Sequence, residues 1–207
     1  MALRLAPETA SNGRQIRPRG QEDIMRAFHR LWGYAKAFSQ SKRNRADLYR
    51  WLIRRPLILL ATGWYEVSLL FSNRLDPRYK ELALLKSAGM VSCEFCLDIG
   101  SALARTAGIS EQQLRDLPVY AESDAYTDVE KLVLAFAEAM TATPAVGDDL
   151  AEIRERLLEH FTKGQVAELA AEIAWENQRA RLNQALGVRP TGMSDGEACA
   201  LPERRAS

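Results

Sequence analysis

Two cysteines that could carry out redox chemistry, Cys93 and Cys96, are separated by two residues at the predicted start of a helix. Thiols at this spacing can close a small disulfide. The free amides of a first helical turn, together with the helix dipole, favour thiolate over thiol. Ser92 is predicted to cap this helix and Gly108 to end it. The spacing therefore predicts a redox-active thiol pair.

An acidic residue, Glu81, lies on the apolar face of the preceding predicted helix. That helix is predicted to begin after the capping residue Asp76 and to end at Gly89. At about 100° per residue, the side chain of Glu81 falls within the arc formed by Leu84, Leu85 and Ala88. A carboxylate in that position needs a partner, a protonated state or a function in proton transfer. The alternative is a structural salt bridge, for example to Arg78.

The helix that carries the thiols has a face of cysteines and small or apolar residues. By helical spacing this face consists of Cys93, Cys96, Leu97, Gly100, Ala104 and Ala107. Both thiols are therefore predicted to face the core. Gly100 lies one turn after Cys96, and a glycine inside a helix costs about 1 kcal/mol relative to alanine. We expect another group to approach the backbone closely at this position.

These residues carry a family resemblance. The pattern Glu-x11-Cys-x2-Cys, set in a helix pair and followed by Gly108-Ile109-Ser110-Glu111, resembles the carboxymuconolactone decarboxylase-like family, specifically its alkylhydroperoxidase D-like branch. The segment 176–188 resembles the end of the same domain, so the resemblance covers about residues 57–187. It implies an alkylhydroperoxidase D-like all-α helical domain and a homo-oligomer, either a trimer or a hexamer.

The resemblance also implies a reaction and roles for the site residues. Members with the full motif reduce hydroperoxides through a disulfide-forming thiol pair, with a glutamate and a histidine as proton relay. By this resemblance Cys96 meets the hydroperoxide, Cys93 is the resolving cysteine, Glu81 is the relay acid, and an unidentified dithiol reduces the disulfide. The relay histidine would lie four residues after the second cysteine, where this chain has Gly100. Helix electrostatics alone favour a thiolate at Cys93, so the residues leave the two cysteine roles open.

Composition limits the classes of protein to which this chain can belong. The 207 residues are 47% hydrophobic, with a net charge of +1 from 28 basic and 27 acidic side chains. This balance gives no electrostatic reason to expect nucleic acid or a membrane surface as a partner. Three cysteines and two histidines make neither a disulfide framework nor a closed zinc site, so we predict a reducing, cytoplasmic location with no metal or cofactor.

Helical periodicity predicts an all-α fold of about seven or eight helices, since neither a strand pattern nor a phosphate-binding glycine motif is present. A single domain is predicted over residues 21–188, between a flexible arm at 1–20 and a flexible tail at 189–207. The apolar stretch Leu57–Phe71 is too short to span a bilayer and is predicted to be a buried helix. Small residues on the thiol helix suggest that another subunit completes the core.

Four further residues are candidates for a functional or a structural role. His29 is predicted either to be structural or to enter the thiol site in place of the missing histidine. His160 is predicted to cap the end of its helix, and Asn177 to be a structural polar residue at a core position. Cys199 is predicted to be an exposed thiol in the tail.

The leading hypothesis is a thiol-dependent oxidoreductase that reduces hydroperoxides. A redox-responsive or non-catalytic helical oligomer is the first alternative. Decarboxylase or lactone chemistry of the same family is the second, although the branch with that chemistry does not depend on a Cys-x-x-Cys pair.

Overall fold

The computed structural model describes Met25, Phe28 and residues 31–36, 39–143 and 147–203, and within these the chain is all-α. After a helical stretch at 31–36, the α-helices are α1 (Asp47–Leu52), α2 (Pro56–Phe71), α3 (Pro77–Val91), α4 (Glu94–Thr106), α5 (Glu111–Asp116), α6 (Asp128–Thr141), α7 (Gly147–His160) and α8 (Lys163–Ala185), with a 3₁₀ helix at Leu117–Val119. The prediction of an all-α fold is confirmed. Within these ranges, no helix combines the length and hydropathy needed to cross a bilayer.

Helix α3 is the centre of the fold, because α4, α6 and α8 all pack against it. Its apolar side chains contribute to two core clusters, one shared with α4 and one shared with α6 and α8. Three charged side chains of α3, Lys80, Glu81 and Lys86, are also buried. The helix is therefore enclosed on several faces, and its charged residues must be accommodated inside the protein.

The buried lysines of α3 are paired with carboxylates from distant parts of the chain. Lys80 forms ion pairs with Glu168 and Glu172 of α8, the second at 3.6 Å. Lys86 forms ion pairs with Glu203, at 2.7 Å, and with Glu138 of α6, at 3.5 Å. A buried charge is tolerated when it is paired and hydrogen-bonded, so these contacts hold α3 in register with its neighbours.

The start of α3 agrees with the prediction from the sequence, and the end of α3 does not. Asp76 caps the helix as predicted, and its side chain accepts a hydrogen bond of 2.9 Å from the N–H of Arg78. The predicted end at Gly89 is wrong, because the helix continues to Val91. It ends where Ser92 adopts the left-handed conformation, with φ of 60°. The prediction that Ser92 caps α4 is wrong for the same reason, and Cys93 is the N-cap residue instead.

Three capping boxes open α5, α6 and α8 as their sequences predict. In each, a hydroxyl group accepts the N–H of the residue three positions later, and that residue's side chain accepts the first residue's N–H. The pairs are Ser110 with Gln113, Thr127 with Glu130, and Thr162 with Gln165.

Helix α2 is not the buried helix that its apolar sequence predicts. Leu69 is its only buried residue, whereas Leu57, Leu60, Trp64, Val67 and Phe71 are all exposed. These five follow the spacing i, i+3, i+7, i+10 and i+14, which places them on one stripe. The isolated chain therefore presents an apolar helix face to solvent.

The segment after α8 folds back onto α4 as far as residue 203 rather than extending away from the domain. The carboxylate of Asp98 accepts the backbone N–H groups of residues 191–194, at 2.8 to 3.2 Å. Further along, Ser101 accepts the N–H of Ala200 at 2.9 Å, and Glu203 donates its N–H to Gly89 at 3.0 Å. One buried carboxylate thus holds a loop that is more than ninety residues away in sequence.

Gly100 marks a close approach of α3 and α4, as its position in a helix predicts. A Cβ atom at residue 100 would lie 2.8 Å from Cδ2 of Leu85. Leu85 is itself fully buried, so it has little room to move.

We expect Gly100→Ala to destabilise the protein by about 1–2 kcal/mol, because the added methyl group overpacks the contact with Leu85 by more than the gain in helix propensity. Gly63→Ala in α2 is the matched control, because no atom lies within 4 Å of its added Cβ. That control should gain about 1 kcal/mol. Urea unfolding measures both changes, and equal stabilisation by the two substitutions would contradict the packing argument.

We expect Asp98→Asn to lower the free energy of unfolding by about 2–4 kcal/mol at pH 7, because it removes charge-assisted hydrogen bonds from a buried loop. Burial alone would raise the pKa of Asp98, but the N–H groups of Ser194, Thr191 and Met193 and the Thr191 hydroxyl lower it below its usual 3.8. The stabilisation is therefore present above that value and is lost as the pH falls through the lower folded-state pKa.

The control for this substitution is Asp195→Asn in the same loop. Asp195 is more exposed and pairs with Arg43 at 2.8 Å, so its loss should change stability by under about 1 kcal/mol. The difference between wild type and Asp98→Asn should narrow below about pH 4 in urea titrations. A difference that stays constant down to pH 2 would show that the charge of Asp98 is not what stabilises the loop.

Candidate active site

The thiol pair lies at the junction of α3 and α4. Cys93 and Cys96 form a disulfide, with Cα atoms 5.3 Å apart, which is within the usual range for such a bond. Cys93 is the N-cap residue of α4, and its sulfur accepts the N–H of Cys96 at 3.3 Å. Ser92, in the left-handed conformation, is the single residue between the end of α3 at Val91 and the N-cap of α4 at Cys93.

A cavity of about 390 Å³ adjoins the thiol pair. Its walls are mostly apolar: Leu31, Tyr34, Leu48, Val67, Leu70, Leu84, Leu85, Phe95, Ile99 and Leu103. Cys96 lines the cavity and is 8% exposed, whereas Cys93 is 1% exposed and is not among the described residues that line it. The two cysteines therefore differ in access, and Cys96 is the one that a small molecule in the cavity can reach.

Glu81 lines the same cavity and is only 4% exposed. This carboxyl group lies on the inner face of α3, as the helical spacing predicts, and it lines the same cavity as Cys96. An amide completes the surroundings of the sulfur, because Nδ2 of the buried Asn183 lies 3.6 Å from Sγ of Cys96.

Gly100 also lines the cavity, at the position where the family has its relay histidine. A side chain at this position would require Leu85 to shift, because its Cδ2 lies 2.8 Å from the position of an added Cβ. His160 is exposed at the end of α7, away from this cavity. His29, the other histidine of the chain, lies outside the described residues.

The sequence interpretation missed a polar cluster in the cavity wall, made of Glu66 from α2 and of Glu176 and Arg179 from α8. Arg179 Nε donates to Glu176 at 2.7 Å, and its terminal NH1 donates to Glu66 at 2.8 Å. Glu66 also accepts the indole N–H of Trp175 at 2.8 Å. Glu176 lies three residues after the buried Ile173, so the wheel argument used for Glu81 could have identified it.

Burial sets the electrostatics of this cluster. It raises the pKa of Glu176, although the guanidinium of Arg179 acts in the opposite direction. Burial also opposes the charge of Arg179, but Glu176 and Glu66 hold its pKa well above the usual value. One fixed positive charge therefore faces two carboxyl groups.

The remaining candidates have structural surroundings. Asn177 donates to Thr141 at 2.9 Å and to the carbonyl of Ile173 at 3.0 Å, which agrees with its predicted structural role. The prediction of an exposed Cys199 is wrong, because this thiol is partly buried, 3.5 Å from the hydroxyl of Ser101. Burial raises the pKa of Cys199, which the hydroxyl partly offsets. Within the described ranges, no three His, Cys, Asp or Glu side chains converge in a way that could hold a metal ion.

Comparison with known proteins yields relatives in sequence and in structure. The uncharacterised protein YnjA of Escherichia coli is 34% identical over 161 residues, covering 76% of this chain and 83% of YnjA. The uncharacterised protein YdfG of Bacillus subtilis is 32% identical over 119 residues, covering 56% of this chain and 79% of YdfG.

Two solved structures share the fold. A protein of unknown function from Agrobacterium tumefaciens, proposed to be the antioxidant defence protein AhpD, superimposes with a TM-score of 0.61 at 25% identity, over 68% of this chain and 94% of that one. The debrominase Bmp8 superimposes with a TM-score of 0.63 at 20% identity, over 77% of this chain and 87% of that one. The second likeness concerns the fold alone.

The model of the carboxymuconolactone decarboxylase family matches residues 58–139, which span most of α2, the whole of α3 and α4 with the Cys-x-x-Cys pair, and most of α6. Sequence motif, helical architecture and family match agree, and the chain belongs to the carboxymuconolactone decarboxylase family.

Proposed function

We propose that this protein is a thiol-dependent oxidoreductase that reduces organic hydroperoxides with the pair Cys93 and Cys96. The observation that carries the proposal is the apolar cavity, which Cys96 shares with the buried carboxyl group of Glu81. The AhpD-like fold supports an antioxidant role, and the disulfide supports the ability of the two sulfurs to react with each other. The apolar walls favour an alkyl hydroperoxide over a strongly hydrated substrate.

The reaction proceeds in two steps on the enzyme. The thiolate of Cys96 attacks the terminal oxygen of the hydroperoxide, so that an S–O bond forms, the O–O bond breaks, and the alkoxide takes up a proton to leave as an alcohol. The thiolate of Cys93 then attacks the sulfenic acid, forming the disulfide and releasing hydroxide, which is protonated to water. An external dithiol supplies the two electrons that restore both thiols.

The geometry supports assigning the first step to Cys96 and the second to Cys93. Cys96 is the cysteine that faces the cavity, whereas Cys93 sits at the N-terminus of α4, where it accepts an N–H. Donors at a helix N-terminus stabilise a thiolate, which suits a resolving nucleophile that acts inside the protein. Glu81 is proposed to take the proton from Cys96 before the attack.

A titration of fully reduced protein with tert-butyl hydroperoxide tests these assignments. One equivalent should remove two of the three thiols from labelling in the wild type, while Cys96→Ser stays unreactive and Cys93→Ser stops at a sulfenic acid. Glu81→Gln should slow the first step by about 100-fold or more, because general acid–base groups contribute about 10²–10⁴ in rate. Intact mass and thiol labelling provide the readout.

Glu94→Gln is the matched control, because Glu94 is adjacent to Cys93 but exposed on α4. It should react at the wild-type rate within about twofold. If both thiols of the pair remain available for labelling in excess peroxide, hydroperoxide reduction is not the function of this site.

The exposed stripe of α2 supports a homo-oligomer as the working form, with a second copy of the chain as its occupant. Leu57, Leu60, Trp64, Val67 and Phe71 have the a and d spacing of a helix that packs on another helix. Their exposed side chains amount to on the order of 600 Å², which approaches the roughly 800 Å² that each partner contributes to a standard interface.

We expect the wild type to be a trimer or hexamer in light scattering coupled to gel filtration, and Trp64→Lys to shift it to the mass of one chain, because a charge in the stripe prevents its burial. Ile58→Lys is the control, since Ile58 is half-exposed on the same helix but lies off the stripe. A monomeric wild type, or equal dissociation by both substitutions, would contradict the assignment.

A further inference from the structure

The carboxyl group of Glu176 lies in the cavity wall and has no role in the reaction steps proposed above. Its Oε2 accepts two hydrogen bonds from Arg179, one of them at 2.7 Å from Nε. Its Oε1 is buried and has no hydrogen-bond partner among the described residues. The side chain is 1% exposed, and the residue lines the cavity that also contains Cys96.

An ionised Glu176 would leave one carboxylate oxygen buried without a donor, which is costly in an apolar setting. Protonation of Oε1 removes that penalty and gives the carboxyl group a hydrogen that it can donate beside the cavity that Glu176 lines. The count of charges favours the same state, because Arg179 is shared between Glu176 and Glu66. The raised pKa of Glu176, caused mainly by burial, agrees with this reading.

The proposed reaction needs a proton donor at this place. Breaking the O–O bond of an alkyl hydroperoxide releases an alkoxide, which is a strong base and a poor leaving group unless it is protonated as it departs. The family's relay histidine is absent, since Gly100 stands at its position. After taking the proton from Cys96, Glu81 is itself an acid in the same cavity, so variants of Glu176 decide which of the two carboxyl groups supplies the alkoxide with its proton.

We propose that Glu176, as a protonated carboxylic acid held by Arg179, is the acid that supplies the proton to the departing alkoxide. This inference rests on the hydroperoxide reduction proposed above. Glu176 lies seven residues before Asn183, the neighbour of Cys96, or about 10 Å along the axis of α8. The proton therefore crosses part of the cavity, either within the bound substrate's reach or through one water molecule.

Charged groups around Glu176 define what else could titrate with it. On its own helix these are Arg179 and Glu172. Glu66 of α2, Glu81 of α3 and Tyr34 of the helical stretch at 31–36 line the same cavity. The rate with an alkyl hydroperoxide should first rise with pH as Cys96 becomes a thiolate. Because an acid acts only while protonated, the rate should then fall at higher pH as Glu176 ionises. Glu176→Gln should remove the falling limb.

The test compares oxidants that differ in their need for a proton, using the full-length reduced protein in single turnovers. With tert-butyl hydroperoxide, which releases a strongly basic alkoxide, Glu176→Gln should lose about 100-fold or more in rate. With peracetic acid, which releases acetate, the same variant should stay within about threefold of wild type, because acetate departs without a proton. Alkylation of Cys96 by N-ethylmaleimide should be unchanged.

Glu168→Gln is the matched control, because Glu168 is also buried on α8, two turns earlier, but pairs with Lys80. It should keep the wild-type ratio of rates between the two oxidants. If Glu176→Gln fails to fold, Glu176→Asp replaces it, and the shorter acid should lower the rate with tert-butyl hydroperoxide while leaving peracetic acid and N-ethylmaleimide unaffected.

Three outcomes overturn the inference and are distinguishable. If wild type reduces both oxidants and neither substitution of Glu176 changes their ratio, Glu176 is not the acid, and the proposed function stands. If wild type reduces neither oxidant while its thiols still react with N-ethylmaleimide, the proposed function fails and the role of Glu176 fails with it. A loss of equal size with all three reagents would assign Glu176 to structure alone.

Discussion

The enclosure of α3 is the constraint on which the rest of the structure depends. This helix is covered by α4, α6 and α8, yet it carries Lys80, Glu81 and Lys86 inside the protein. A charge in such a place is strongly unfavourable unless a counter-charge meets it with good geometry. The counter-charges come from α8, from α6 and from the segment that follows α8. We interpret these pairs as the contacts that fix the register of α3, and with it the position of Glu81.

The cavity follows from the same arrangement. The residue next to the paired Lys80 is Glu81, which lines the cavity instead of joining the ion pairs of Lys80 with Glu168 and Glu172. The walls are mostly apolar, and their polar groups belong to Tyr34, Glu66, Glu81, Cys96, Glu176 and Arg179. In a space of low polarity, electrostatic interactions between such groups are stronger, and competing reactions with water are limited. A thiol chemistry that produces charged intermediates is suited to this environment.

The absence of the family's relay histidine has a geometric counterpart. Where that side chain would stand, Gly100 allows Leu85 to approach the backbone of α4, so a larger residue there would require Leu85 to shift. At the opposite wall, Glu176 and Arg179 bring ionisable groups into the same cavity from α8. The thiol helix is also tied down from its other side, because Asp98 binds the loop at 191–194. The two faces of α4 thus serve separate purposes, one lining the cavity and one anchoring the end of the chain.

Local chemistry in the sequence determined the helices, most of their caps and the inward placement of Glu81 and the thiol pair. Capping boxes and the 3.6-residue period act within one or two turns, so Thr127 and Thr162 could be read without knowing the fold. The prediction that α3 ends at Gly89 is wrong, because the end of α3 depends on the left-handed conformation of Ser92, three residues later.

Only the tertiary structure decided what covers each element and which charges meet. The apolar sequence of α2 does not say whether a neighbour covers it, and in the isolated chain none of its stripe is buried. Asp98 and Cys199 acquired their surroundings from contacts about a hundred residues apart. Glu176 could be placed on an inner face by its spacing, and Arg179 is its neighbour on the same helix, but Glu66, which shares Arg179, lies on α2 and is brought there only by folding. Helix formation depends on neighbours within a turn. Burial and ion pairing depend on contacts between segments that are distant in sequence, and a local sequence pattern does not predict these contacts.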